Sequence, residues 1–391
     1  MAPTMKRVSM AVALAVFSTG GTAETWVYTP VVELGVNHDD NFRLTAGPHE
    51  SVTGTNLRAG ILLNRVSDEL SFDGRAIFDF NQYDGDRIPN ENNQFFNAKI
   101  AKKLELDTFD LFASYKRDTT LKDVEPDFDL DDPTLLVDPD AGITTTRIRR
   151  NTLRIGPSWK RRLDELTSLN LAYEYRSRDY KSDQTANLND FITHRLKGTL
   201  NRNLTERDVA SFGLEYLNYD SDAVNADYDS YSATIGLDHH FSETTRGGFR
   251  VGLRRTEGDT DDDTGVVYEL HGLKKTELAL YTAKLQRRLS PTGSGDLNET
   301  DQLLLKMKRS LSPTLDLNIR ARYFMLDSNN DANDRDYLEI SPELSWGFEQ
   351  WWSLNFSYAY RRQEYDLGNR DADSNAVFLS VSYAKPSGPV K

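Results

Sequence analysis

The chain has 391 residues, with 61 Asp and Glu against 47 Lys and Arg, and it contains no cysteine. A net charge of -14 excludes a nucleic-acid binder that works by neutralising phosphates, and the missing thiols exclude a disulfide scaffold, a thiolate metal site and a cysteine nucleophile. Only 38% of residues are hydrophobic, mean hydropathy is -0.61, and aromatics still reach 10%, a mixture that suits an apolar outside and a wet inside better than a thick dry core.

In chain order, Lys6 and Arg7 precede the apolar stretch Val8 to Phe17 and the small residues Ser18 to Ala23. That is the layout of a secretory signal peptide cleaved after Ala23, so residues 1–23 are expected to direct export and 24–391 to form the mature domain. The apolar stretch is too short for a spanning helix, which needs about 20 residues, and no later segment comes close.

From Thr25 onward the apolar residues recur at every second position, which is the period of a strand. Leu338, Ile340, Leu344, Trp346 and Phe348 alternate with Tyr337, Glu339, Glu343, Ser345 and Gly347, and Trp352, Leu354, Phe356 and Tyr358 with Ser353, Asn355, Ser357 and Ala359. The pattern predicts upward strands over 25–38, 69–83, 108–118, 166–180, 207–220, 245–256, 276–288, 313–326 and 351–364. Downward strands are predicted over 52–65, 93–105, 147–160, 189–203, 228–241, 265–273, 299–310, 335–348 and 374–384. The expected fold is therefore all-β, a transmembrane antiparallel up-and-down barrel of about 18 strands, with 16 as the alternative count because 265–310 is weakly patterned. Short turns such as Ser67-Asp68-Glu69 alternate with longer linkers rich in Asp, Asn and Gly, as tight periplasmic turns alternate with long outer loops. A soluble β-sandwich also alternates, but one of this size needs more apolar mass between its sheets.

Turning the polar positions inward defines the candidate pore lining. Its cations are Arg58, Arg75, Lys99, Lys116, Arg154, Arg176, Arg178, Lys197, Arg250, Arg254, Lys284, Arg288, Arg320, Arg322 and Arg361, and its chief acids are Glu174, Glu215, Glu339 and Glu343. Such a wall leans positive, and Arg and Lys facing confined water favour anions. Inward aromatics at Phe112, Tyr219 and Phe324 are placed to stack on sugar rings. Trp26, Tyr28, Trp159, Phe241, Trp346, Phe348 and Trp352 lie on the apolar face beside the short turns, where a periplasmic aromatic girdle belongs.

The acidic surplus gathers in the linkers. The longest, 118–146, is expected as an acidic outer loop that either stays outside or folds inward as a constriction. Asp127, Asp129 and Asp131, with Asp261 and Asp263 in a second linker, are weak candidates for divalent cations, against the simpler reading of solvated loops. Gly293-Ser294-Gly295 reads as a flexible linker. The six histidines show no HExxH spacing, and neither a GxSxG elbow nor a Walker loop is present, so no enzyme and no cofactor is expected.

The segment from Tyr28 to Leu44, with its Asp39-Asp40-Asn41-Phe42-Arg43 core, resembles the opening of the β-barrel porin family of Gram-negative bacteria that includes outer-membrane proteins of exopolysaccharide and exosortase-associated loci. Hairpins such as Arg309 to Leu317 are similar in style. The resemblance implies an outer-membrane location, contact with lipid and lipopolysaccharide, insertion by the barrel-assembly machinery, and a part in moving secreted polysaccharide together with export components. It offers no catalytic residues. The chain departs from the usual terminal aromatic, because Tyr383 is followed by Ala384 to Lys391. Passage of acidic polysaccharide or other anionic solutes is thus the leading functional expectation. A closed barrel acting as a cation-binding surface receptor or scaffold is the alternative, and an outer-membrane hydrolase the third.

Overall fold

The computed structural model describes residues 26–47, 49–84, 90–120, 148–181, 188–223, 227–258, 262–327, 334–366 and 371–387. The expected signal peptide, nearly all of the acidic loop, and Asp127, Asp129, Asp131 and Asp261 lie outside the described residues.

Eighteen strands follow one another: β1 Trp26–Asp39, β2 Val52–Val66, β3 Leu70–Tyr83, β4 Glu91–Lys103, β5 Asp107–Thr119 and β6 Arg149–Arg162. The next are β7 Thr167–Lys181, β8 Phe191–Asn203, β9 Asp208–Ser221, β10 Tyr228–Ser242, β11 Thr245–Gly258 and β12 Asp262–Lys275. The last are β13 Ala279–Pro291, β14 Leu297–Ser312, β15 Leu315–Asp327, β16 Arg335–Glu349, β17 Trp352–Tyr365 and β18 Ala372–Ala384. Every strand pairs antiparallel with its sequence neighbours, and β1 pairs with both β2 and β18, which closes the sheet into a barrel. The count of 18 is the one the alternation predicts, including the weakly patterned stretch 265–310, which holds most of β12, β13 and most of β14.

The period of two decides which side chains meet lipid. Leu34 opposes Leu57, which opposes Phe80, and all three are exposed; one residue along, Glu33 opposes Arg58, which opposes Asp79, on the other face. Exposed apolar side chains circle the barrel on the first face, among them Val36, Ile61, Leu111, Leu214, Leu253, Leu305 and Phe356. In water such a belt would be a large aggregation surface, so its solvent is the acyl region of a bilayer.

Different collars mark the two ends of the belt. Beside the short turns it finishes in exposed leucines, Leu104, Leu163, Leu204, Leu278 and Leu311, and in the outward rings of Trp26, Tyr28, Phe241, Trp346, Phe348 and Trp352. Toward the long loops it finishes in tyrosines whose hydroxyls donate sideways: Tyr115 to Asn151 at 3.4 Å, Tyr216 to Asp229 at 2.6 Å and Tyr323 to Asp336 at 2.9 Å.

Side-chain caps build the short turns. The backbone amide of Leu70 donates to Ser67 Oγ at 3.0 Å, that of Ala279 to Thr276 Oγ1 at 2.9 Å, and those of Leu166 and Thr167 to Asp164 at 2.8 and 2.7 Å. These donors, Leu166 first, hold the Asp164 carboxyl below its ordinary range. The two-residue turns carry bulges instead, with register shifts at His240/Ser242, Ser310/Ser312 and Gly347/Glu349. Beyond β18 the chain keeps its register against β1, because Ser387 donates its amide to the Tyr28 carbonyl at 2.7 Å.

A charge in the belt centre is expected to be costly. Leu214→Arg, at an exposed site midway along β9, should destabilise the barrel by about 2–4 kcal/mol, whereas a polar exchange at inward Ser232 should be nearly neutral. Urea unfolding in lipid vesicles, followed by loss of the folded band on unheated gels, measures both.

Candidate functional site: the barrel lumen

All nineteen charged lining candidates lie on the inner face, because each shares register and face with Glu33, Arg58 and Asp79 around the barrel. The structure adds how they are paired, and the pairing is uneven.

Around β15 to β18 and β1 to β3 the cations are matched by acids. Arg322 meets Glu339 at 2.8 Å, Arg361 meets Asp39 at 2.5 Å, Arg58 meets Glu33 at 3.6 Å, and Arg320 reaches Glu343 at 3.9 Å. Another matched group spans β10 to β13. There Arg250 holds Glu269 at 2.5 Å and Asp238 at 3.1 Å, His271 contacts Asp238 at 2.7 Å, and Lys284 contacts Glu269 at 3.2 Å.

The third region is cationic in excess. Arg154 on β6 and Arg176 on β7 share Glu174 at 2.8 and 3.3 Å, while Arg195 and Lys197 on β8 share Glu215 at 3.3 and 3.9 Å. Arg288 of β13 lines the same cavity as Arg195, Lys197 and Glu215 of this group. Five cations thus surround two carboxylates, and beside them a cavity of ≈ 210 Å³ opens between Arg195, Lys197, Arg250, Arg254, Arg288 and Leu289.

An 18-stranded barrel leaves an aqueous channel unless something enters it. Among the described residues, two segments enter this one at the loop end. The first follows β1: Asn41 and Phe42 are fully buried and Leu44 nearly so. Asn41 donates through Nδ2 to the carbonyls of Thr45 and Asp373, both at 2.9 Å, and Phe42 packs edge-on against Tyr83 with ring centroids 5.0 Å apart. Leu44 carries a left-handed backbone, φ 51°, fixed where Gln363 donates to its carbonyl at 2.7 Å and where Phe324 and Tyr337 pack beside it. Beneath it Arg361 donates to both Asp39 and Ser374. The motif that carries the family resemblance is therefore a corner folded into the barrel mouth.

The second segment is the tip of the β13–β14 hairpin. Leu289 and Leu297 pack with Tyr180, Leu217 and Tyr219, which belong to β7 and β9 on the facing wall. Tyr219 donates its hydroxyl to the Thr292 carbonyl at 2.8 Å, and the Asn189 amide donates to the Gly293 carbonyl at 2.6 Å. Gly293-Ser294-Gly295 is thus a seated turn and not a flexible linker. Its glycine is needed because a Cβ on Gly293 would stand 2.7 Å from the Tyr180 ring.

Tyr219 and Phe324 point inward but are almost completely buried beneath these two segments, and Phe112 is covered by the Arg154 guanidinium 5.4 Å from its ring centroid. Tyr219 and Phe324 thus offer no open ring face for a sugar, because both are consumed in packing, while Phe112 is half-buried with a guanidinium over its ring. Asp263 contacts Arg254 at 2.8 Å, and the described residues hold no group of three potential metal ligands. Sequence reasoning passed over Arg150, Arg195 and Asp118. Arg195 shows the inward parity of Lys197, and Asp118 and Arg150, which pair at 2.8 Å, show that of Lys116 and Arg154, so the signal was present for all three.

Fold and lumen together define an 18-stranded porin-like barrel of the outer-membrane type. A family model described as surface lipoprotein assembly modifier matches residues 69–269, just over half of the chain, and the chain belongs to that family. Among solved structures it is similar to a BenF-like porin from Pseudomonas fluorescens Pf-5, with TM-score 0.50 and 10% identity over 92% of this chain and 99% of that one. It also matches Acinetobacter baumannii OccAB4, with TM-score 0.48 and 12% identity over 93% and 99%. No curated protein matches the sequence.

The folded corner yields a prediction. Arg361→Met leaves Asp39 buried without its cation and should cost about 3–5 kcal/mol, most of it recovered when Asp39→Asn is added. Urea midpoints of the two variants, with tryptic cleavage at Arg43 as a reporter of the released corner, check this.

Proposed function

We propose that the protein is an outer-membrane conduit for anionic solutes, narrowed at its outer mouth by two inward segments. The observation that carries this reading is the gathering of Arg154, Arg176, Arg195, Lys197 and Arg288 about Glu174 and Glu215, where other inward cations such as Arg250, Arg322 and Arg361 each meet an acid of their own. In confined water a fixed positive cluster lowers the entry cost of anions and raises that of cations. Lipid and lipopolysaccharide as surroundings and insertion by the barrel-assembly machinery belong to this proposal, and the apolar belt supports a lipid setting. An acidic polysaccharide, helped by export components, is the cargo of this chemistry that the opening motif suggests. Recognition then rests chiefly on carboxylate–guanidinium pairing, since Tyr219 and Phe324 are covered.

Conductance in planar bilayers tests the proposal. Chloride should permeate better than potassium, and Arg195→Gln with Arg288→Gln should move the reversal potential toward zero. A potassium preference of the native barrel would sink the reading. Oligouronate on the outer side should block the native current at lower concentration than that of the double variant; equal block in both would remove the acidic glycan as cargo.

A second reading comes from the family description, whose match covers β3 to β12 and with them most of the cationic wall. On that reading the barrel serves the assembly of lipoproteins at the cell surface. Surface display of a co-expressed lipoprotein, lost with the barrel while chloride current stays unaffected by that lipoprotein, would favour it.

A further inference from the structure

The ladder between β12 and β13 is incomplete. It runs from Lys275↔Leu280 to Tyr268↔Arg287 and stops, although β12 begins at Asp262 and β13 ends at Pro291. Residues 262–267 pair with β11 on one side and have no strand on the other. This gap lies at the outer edge of the apolar belt, beside the exposed Leu253 and Val266. Backbone left unpaired there is costly, because lipid offers it no hydrogen bonds.

The missing rungs are not missing from the sequence. Continuing the same register places Val267 opposite Arg288, Val266 opposite Leu289 and Gly265 opposite Ser290. Those β13 residues have left the wall with the hairpin tip. By strand parity Leu289 belongs on the lipid side with Leu285 and Arg287; it is buried instead against Tyr219 inside the barrel. One ion pair spans the gap. Arg254 of β11 reaches past β12 to Glu299 of β14 at 2.8 Å, crossing at Gly265, where a Cβ would stand 2.3 Å from its Nη2.

We propose that the β13–β14 tip is a gate with two seats. In the seat observed it lies across the lumen and the β12–β13 seam is parted. In the other the tip swings out, residues 265–267 zip to residues 288–290 in the existing register, and the mouth opens. The two seats exchange comparable interactions. The inner one offers the Tyr219 and Asn189 hydrogen bonds, two buried leucines and the Arg254–Glu299 latch, and the outer one offers ladder bonds plus lipid contact for Leu289. Release also draws Arg288 away from Arg195, a like charge that lines the same cavity in the inner seat. The gate needs the barrel in a bilayer, but it does not depend on which ion passes, so its test reads current size and not selectivity.

The chain has no native cysteine, so engineered pairs report cleanly. Val266→Cys with Leu289→Cys, in the full-length protein in a planar bilayer, should crosslink on oxidation and raise single-channel conductance about twofold or more, reversibly with dithiothreitol. Asn189→Cys with Ser294→Cys, which leaves Gly293 in place beside the Asn189 amide, should lock the tip inward and hold conductance at the native closed level. Glu299→Gln, which keeps the shape and removes the latch charge, should raise the open fraction without any crosslink. The proposal is overturned if the 266–289 pair forms with conductance unchanged, or if the inward lock conducts as well as the zipped form. Should the seam pair fail to crosslink or to fold, an unchanged open fraction in Glu299→Gln overturns it, and a raised one supports it.

Discussion

The constraint on which this structure depends is that a backbone inside lipid must find its hydrogen-bond partners within the chain. A sheet meets it only by closing, and closure requires the first strand to accept the last. The pairing of β1 with β18 over nine residues, carried on by Ser387 against Tyr28, is therefore the condition under which the other strands can stay in a membrane at all. Once the wall is closed, alternation does the rest, sending one half of each strand to lipid and the other to water.

The lumen then inherits a problem of its own. Eighteen strands enclose more space than their inner side chains fill, and the charges that face it must be compensated or left to water. Much of the wall is compensated by cross-strand pairs, and the exception beside β6 to β8 is where the β13–β14 tip approaches. Constriction and a local surplus of positive charge thus coincide in one place.

How much of this was legible in the sequence varies with the kind of information. Strand number, strand order and the inner position of residues such as Arg176 or Glu339 follow from a period of two and from turns with Ser, Thr or Asp at fixed offsets, all of them local. The weak pattern over 265–310 had a physical cause. There Leu289 and Leu297 serve an interior cluster instead of the bilayer, so apolar parity no longer marks the lipid side. The same departure explains why Gly293 to Gly295 read as a linker, and why Tyr219 and Phe324 read as open stacking platforms. Folding of a hairpin into its own barrel is a long-range event, and the segments that cover those rings are distant in the chain.

The two collars of the belt differ chemically, leucine and indole at the turn side, laterally bonded tyrosine hydroxyls at the loop side. A ring of hydroxyls that must stay hydrated and a ring of leucines that must not resist vertical displacement in opposite directions. Depth and tilt of the cylinder are consequently set by its wall alone.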